Sequence, residues 1–241
     1  MTGAIPSGFQ TTRWTLVQAA AENPTVDSRR ALATLCQTYW HPVYAFIRRN
    51  GYNPDQSQDL TQGFFTLMLE KSYLARADQK RGRFRSFLLT AVKHFLANEW
   101  DRANALKRGG GQVAVSIDLV KAERAYEPEL ADAVTPEKIF ERRWALSMLE
   151  HVMARLRADF VHAGKADQFE ILSEFLEQDS DDIGYEELAG QTAMSAGALR
   201  MAVHRMRKTY RRLLREEITE TVSSPDEIDA EIRFLVAILS T

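Results

Sequence analysis

Tyr185-Glu186-Glu187-Leu188-Ala189-Gly190-Gln191-Thr192-Ala193-Met194-Ser195-Ala196-Gly197-Ala198-Leu199-Arg200-Met201-Ala202-Val203-His204-Arg205-Met206-Arg207-Lys208 reads as a short acidic helix, a turn and the start of a longer basic helix. Carried on to Glu217, it predicts a helix-turn-helix. Leu188 and Ala189 face inward from the first helix. Ser195 stands at the N-cap of the second, where its hydroxyl can accept from one of the unpaired backbone N–H groups that begin every helix. Leu199, Val203, Met206, Tyr210 and Leu213 recur at three- and four-residue spacing and predict one buried stripe. Arg200, His204, Arg205, Lys208, Arg211 and Arg212 lie off that stripe. A basic helix that begins at a cap just after a tight turn suits entry into a DNA major groove by its N-terminal residues. The competing explanation is that any amphipathic surface helix can be basic on its outer side.

Outward from this stretch, the charge is segregated rather than absent. The net charge of −2 over 241 residues excludes a uniformly basic nucleic-acid binder. Yet Arg76 to Arg108 and Arg200 to Arg215 are basic, whereas Asp118 to Glu187 and the tail after Ile218 are acidic. Local patches set the field that a partner feels at short range. An apolar content of 45% is that of a folded globular chain. The single cysteine, Cys36, excludes an internal disulfide and reads as a small buried hydrophobe. The start of the chain lacks the basic flank and apolar run of a signal peptide, and no stretch suits a bilayer span. The expected location is the cytoplasm, without membrane insertion.

Nearly every periodic segment is helical, so the expected fold class is all-α. Thr12 to Ala21 reads as a short docked helix. Ser28 to Asn50 carries an aromatic side built from Leu32, Leu35, Tyr39, Val43, Phe46 and Ile47. Gly51 to Pro54 is a turn, and Asp55 to Leu69 a second helix. Phe84 to Lys107 is a third, ended by Gly109-Gly110-Gly111. Gln112 to Ile117 is the one strand-like run. Thr135 caps a further helix with Pro136 at its first position, and Asp167 to Gln178 is another. Ser224 and Glu227 have capping-box spacing. They precede a stripe of Ile228, Ile232, Leu235, Val236 and Leu239 that must bury itself on this chain or on a partner. The expected division is an N-terminal arm at 1–27, a helical domain at 28–111, a linker at 112–134, a helix-turn-helix domain at 135–220 and an amphipathic C-terminal helix at 221–241. The two domains are small helical bundles joined by the linker.

A second segment has nucleic-acid character. Arg76, Lys80, Arg81, Arg83 and Arg85 cluster around Gly82, and Phe84, Phe87, Phe95 and Trp100 follow. Cations that track phosphates and aromatic faces that stack bases are the means by which single strands are held. The alternative places Phe84, Phe87 and Phe95 in the core at helical spacing. Trp100, near the end of its helix, is the better candidate for an exposed ring.

Gln58-Asp59-Leu60-Thr61-Gln62-Gly63-Phe64-Phe65 resembles the Glu-Asp-Leu-Val-Gln-Glu-x-Phe signature of region 2 of bacterial sigma factors. Phe84 to Val92 is similar to the helix that follows it. Tyr185 to Ala189, with Ser195-x-Gly197-x-Leu199-Arg200-x-x-Val203-His204-Arg205-x-Arg207-Lys208, is similar to region 4. The order, and the lack of a region 3 between them, is that of the extracytoplasmic-function group of the sigma-70 family. The resemblance spans roughly residues 30 to 218. Gly63 departs from the family's acidic residue, Ala202 from a frequent basic one and Ala198 from a common threonine.

The resemblance implies a two-bundle factor that binds core RNA polymerase, carries it to promoter DNA and assists duplex opening, with no bond chemistry and no cofactor or metal. Gln58, Asp59, Gln62 and Phe65 would meet the polymerase. Ser195, besides capping the helix, would contact the upstream promoter element, and Arg200, Met201, His204 and Arg205 would approach its base edges, where Arg can bond guanine bidentately. Arg207, Lys208 and Arg211 would hold phosphates. Asn98, Trp100, Arg102, Asn104, Lys107 and Arg108 would approach the downstream element, where a base can be extruded. An anti-sigma factor or other regulator is a further partner that the resemblance admits. Because the net charge is slightly negative, promoter affinity of the chain alone is expected to be weak.

Three other readings stand beside this one. A helix-turn-helix regulator would bind palindromic half-sites as a dimer, without polymerase. A degenerate sigma-like regulator, suggested by Gly63 and Ala202, would bind polymerase without initiating. An enzyme has least support: the histidines lack metal-ligand spacing, no glycine-rich phosphate loop follows a strand, and Asp179, Asp181 and Asp182 read as a solvated loop.

Overall fold

The computed structural model of the chain describes residues 14–21, 25–70, 74, 77–78, 82–105, 134–176, 184–191 and 194–240. All but the last residue of the expected linker, the candidate strand at 112–117 and the glycine run at 109–111 lie outside them. Every regular element among the described residues is helical, so the fold is all-α there. The helices are α1 (Trp14–Ala21), α2 (Val26–Arg49), α3 (Pro54–Glu70), α4 (Phe84–Ala105), α5 (Pro136–His162), α6 (Ala166–Ser173), α7 (Tyr185–Gln191), α8 (Ala196–Thr219) and α9 (Ile228–Leu239). None is long and apolar enough to cross a membrane.

The chain groups into two compact units. Their described parts are residues 14–148 with 218–240, and residues 149–217. The division falls inside α5, between Met148 and Leu149.

In the first unit, local chemistry sets the helix starts. Thr25 and Ser28 form a capping box: Thr25 Oγ1 accepts from the Ser28 N–H at 3.0 Å, and Ser28 Oγ accepts from the Thr25 N–H at 2.8 Å. Asn53 and Gln56 form the same reciprocal pair at 2.9 and 3.2 Å, with Pro54 beginning α3. Gly51, at φ +92°, makes the left-handed turn between α2 and α3. Thr135 caps α5 as expected, accepting from the Lys138 N–H at 3.3 Å.

The core of this unit is aromatic. Phe84 meets Tyr39 at 5.5 Å and Trp14 at 6.0 Å, edge to face, while Phe140 stacks on Tyr39 at 6.4 Å. Each such pair adds about 0.5–1.5 kcal/mol beyond the burial of its area. Phe84 and Phe95 are therefore core residues, and Phe87 is half-buried. Cys36 lines a tight apolar space with Leu35, Tyr39, Phe65 and Leu88, and burial pushes its thiol up to about 11. The thiolate is the nucleophile, so Cys36 is expected to resist alkylation at pH 8 in the folded protein and to react fully in denaturant. Thiol titration with and without urea checks this.

The C-terminal helix carries a reversal of expectation. Ile228, Leu235 and Ile238 are buried, but Val236 is 61% exposed and Glu231 is fully buried. Glu231 accepts both guanidinium nitrogens of Arg85, one at 3.2 Å, and pairs with Arg83 at 2.7 Å. Arg85, 3% exposed, also lies over the rings of Trp144 at 4.1 Å and Phe234 at 4.6 Å. Glu141 stands near the same charges: burial raises its carboxyl above the usual range, against the opposing pull of Arg85 and Arg83. The helix is thus turned to place a charged residue inside, because two cations wait there. The expected capping box at Ser224 does not form. Pro225–Glu227 is a 3-10 turn, Ser224 makes no side-chain cap, and Glu227 accepts from the Ser223 N–H at 3.1 Å.

In the second unit, Val152, Leu156, Phe169, Leu172, Tyr185, Leu199, Val203, Met206 and Leu213 form the core. Gly164, at φ +69°, turns α5 into α6. α6 ends at Ser173, short of the expected Gln178, in tight turns from Leu172 to Phe175 and from Ser173 to Leu176. At the far end of α8 the buried Glu217 pairs with Arg155 and lies 3.5 Å from His151 Nε2, which ties α8 to α5.

Candidate nucleic-acid interface

Two helices and a cap build the site in the second unit. Tyr185, at the start of α7, is buried and anchors that helix in the core. Ser195 Oγ accepts from the Ala198 N–H at 3.3 Å, and the Ser195 carbonyl accepts from the Leu199 N–H at 2.9 Å. Ser195 therefore serves as the cap, as its position predicted. α8 follows with its stripe inside: Leu199, Val203, Met206 and Leu213 are all buried, and Tyr210 is half-buried.

The opposite face is open. Arg200, Met201, His204, Arg205, Lys208, Arg211 and Arg212 are all exposed. On a helix, positions one, four and five apart gather on one side, so these residues make one surface. From Arg200 to Arg211 it runs about 16 Å along the axis. Arg200 is exposed but positioned, its guanidinium 5.0 Å from the Tyr185 ring. Met201 is 56% exposed. Arg212 forms an ion pair with Glu216, which leaves the cations nearer the N-terminus to dominate the open face. Arg205 borders a groove of about 360 Å³ with Lys165, Gln168, Thr209 and, on its apolar side, Leu172 and Met206.

Arg207 leaves the expected set. Its Nη2 donates to the Phe175 carbonyl at 2.7 Å. It lies four residues after Val203, on the edge of the buried stripe, and reaches a carbonyl just past the end of α6. Ala202 is buried. The missing basic residue at that position takes nothing from the open face.

On α4, Asn98 and Arg102 are exposed and four apart, so they share a side. Arg102 pairs with Glu99 at 2.6 Å. Trp100 is 63% exposed and lies two residues from each, on another side of the helix. The side chain of Asn104, and Lys107 and Arg108 altogether, lie outside the described residues. Of the basic cluster at 76–85, Arg83 and Arg85 are committed to Glu231, whereas Arg76, Lys80 and Arg81 lie outside the described residues.

On α3, Asp59 is exposed and Gln58 and Gln62 are half-buried, each holding further interactions. Phe65 is a correction. It is 7% exposed, stacked 5.9 Å from Trp40 and 5.4 Å from Phe64, and so belongs to the core rather than to a docking surface. Gly63 faces Phe95: a Cβ there would sit 3.4 Å from the ring edge, so a long side chain would press on the α3–α4 contact. No group of three or more His, Cys, Asp or Glu among the described residues is arranged to hold a metal ion. Asp179, Asp181 and Asp182 lie outside them.

Two features escaped sequence reasoning. One is the Tyr185–Arg200 contact, whose only signal is an aromatic residue fifteen positions before an arginine. The other is the interior commitment of Arg207, signalled by its i+4 spacing from Val203. The chain matches no protein-family model, no curated protein and no solved structure.

Proposed function

We propose that this chain is a promoter-specificity factor of the sigma type, which binds bacterial core RNA polymerase and directs it to promoter DNA. The observation that carries this reading is the face of α8. A capped helix behind a turn holds its apolar stripe in the core and turns Arg200, His204, Arg205, Lys208 and Arg211 outward. Recognition helices enter the major groove in this manner, with the first turns on base edges and later cations on phosphates. The exposed ring of Trp100 supports a second contact, to an unstacked base of the opened strand. Asp59 is the residue of the α3 motif best placed to meet polymerase, being exposed where Phe65 is buried.

A transcription regulator that uses α8 without polymerase is the second reading. The burial of Phe65 favours it, since that removes an aromatic anchor from the α3 surface. Co-elution of the full chain with bacterial core polymerase separates the two. The sigma reading expects a stable complex, weakened about tenfold by Asp59→Lys, a change worth ~1.4 kcal/mol. No complex with the intact chain leaves the regulator reading standing. A complex indifferent to Asp59→Lys moves the contact off this part of α3.

A further inference from the structure

We propose that Met201 reads the C5-methyl group of a thymine, beside a guanine bound by Arg200, so that α8 selects a site in which thymine and guanine are neighbours. This deepens the reading that α8 enters a major groove, and rests on it.

Two independent observations carry the inference. The first is Met201 itself. The larger apolar residues near it on α8, Leu199, Val203 and Met206, are buried, and Ala198, though exposed, is only a methyl; Met201 is 56% exposed among Arg200, His204 and Arg205. An unbranched, polarizable thioether on an otherwise polar and cationic face can offer a base little besides apolar contact. The major groove presents one apolar group on its four bases, the thymine methyl.

The second is the Tyr185–Arg200 contact at 5.0 Å. Tyr185 is buried and cannot follow a mobile partner, so it holds the guanidinium near one place at the start of α8. A cation held over a ring face keeps its N–H donors for another acceptor and loses less freedom when it binds. Guanine O6 and N7 are the acceptor pair that an arginine matches bidentately. Arg200 and Met201 are consecutive, about 1.5 Å apart along the axis, so their side chains reach neighbouring base pairs. Arg207 adds nothing to this selection, being bound to Phe175. Tyr185 acts as a positioning residue.

The test uses the full chain at low salt, where even the weak binding expected of the chain alone is retained, against duplex DNA with a randomised window, synthesised once with thymine and once with uracil in its place. The expected result is a recurrent thymine next to guanine, with preference at the thymine position falling about three- to fivefold in the uracil library, the worth of one buried methyl. Met201→Ala is expected to lose the same preference and to treat the two libraries alike. Tyr185→Leu keeps an apolar residue in the core and is expected to relax the guanine while keeping the thymine; a merely unfolded helix would lose both. A recurrent sequence selected equally with uracil overturns the methyl assignment and leaves groove binding intact. Methyl dependence that survives in Met201→Ala overturns the role of that residue. No recurrent sequence in either library overturns both the inference and the reading of α8 beneath it.

Discussion

Glu231→Ala is expected to destabilise the first unit by about 3–5 kcal/mol, the usual cost of stripping one partner from a buried ion pair. Arg85 is 3% exposed and its charge is met by Glu231 and by two aromatic faces. Alanine would leave that charge inside, with Glu141 as the remaining nearby carboxylate. Glu141 is held above its ordinary range by burial, and Glu231 contributes to that rise. Removing Glu231 should therefore lower the Glu141 pKa as well as the stability. The remedy follows from the same physics. Replacing Glu231, Arg83 and Arg85 together by apolar residues of similar volume should recover most of the loss, because a buried ion cluster gains little over a packed apolar one. Urea unfolding of the three proteins checks this. A loss under about 1 kcal/mol, the scale of a surface pair, would mean that Arg85 is not confined as described.

Arg200→Ala with Arg205→Ala is expected to abolish the selection of guanine and to weaken DNA binding strongly, without unfolding the chain. Both side chains are exposed, so little stability rests on them. Each bidentate arginine–guanine contact is worth about 1–3 kcal/mol of discrimination, so losing two corresponds to at least about a thirtyfold fall in affinity. Two other replacements behave differently. Lys208→Ala removes a phosphate contact, so binding should weaken alike for all sequences and the salt slope should shrink by about 0.9. Arg207→Ala should lower thermal stability and leave the salt slope unchanged, since Arg207 serves the Phe175 carbonyl. Duplex binding at several salt concentrations, beside thermal unfolding, sorts these cases. A double variant that binds with unchanged selectivity would remove α8 from DNA recognition.

The helices were legible because apolar residues at three- and four-residue spacing leave few other solutions, as in α2 and α8. What spacing cannot show is where a charge points. Arg83 and Arg85 read as phosphate ligands because the carboxylate that claims them is 146 residues later in the chain at Arg85. Glu231 in turn looked like the polar side of α9, and only long-range packing turned that helix to bury it. The α3 motif points Phe65 to a surface, yet Trp40, on another helix, takes its ring. α6 is shorter than its apolar spacing predicts for a related reason: an arginine far along the chain helps close its end. The open face of α8, by contrast, follows from the residues opposite its buried stripe; Arg207, on the border between the two, turns to the Phe175 carbonyl.

The most direct measurement is run-off transcription with purified bacterial core polymerase, the full chain and a pool of genomic promoter fragments. Discrete transcripts that require the chain and disappear with the Arg200→Ala, Arg205→Ala variant are expected. Transcription that is the same with and without the chain, together with no co-elution with core polymerase, would contradict the sigma reading.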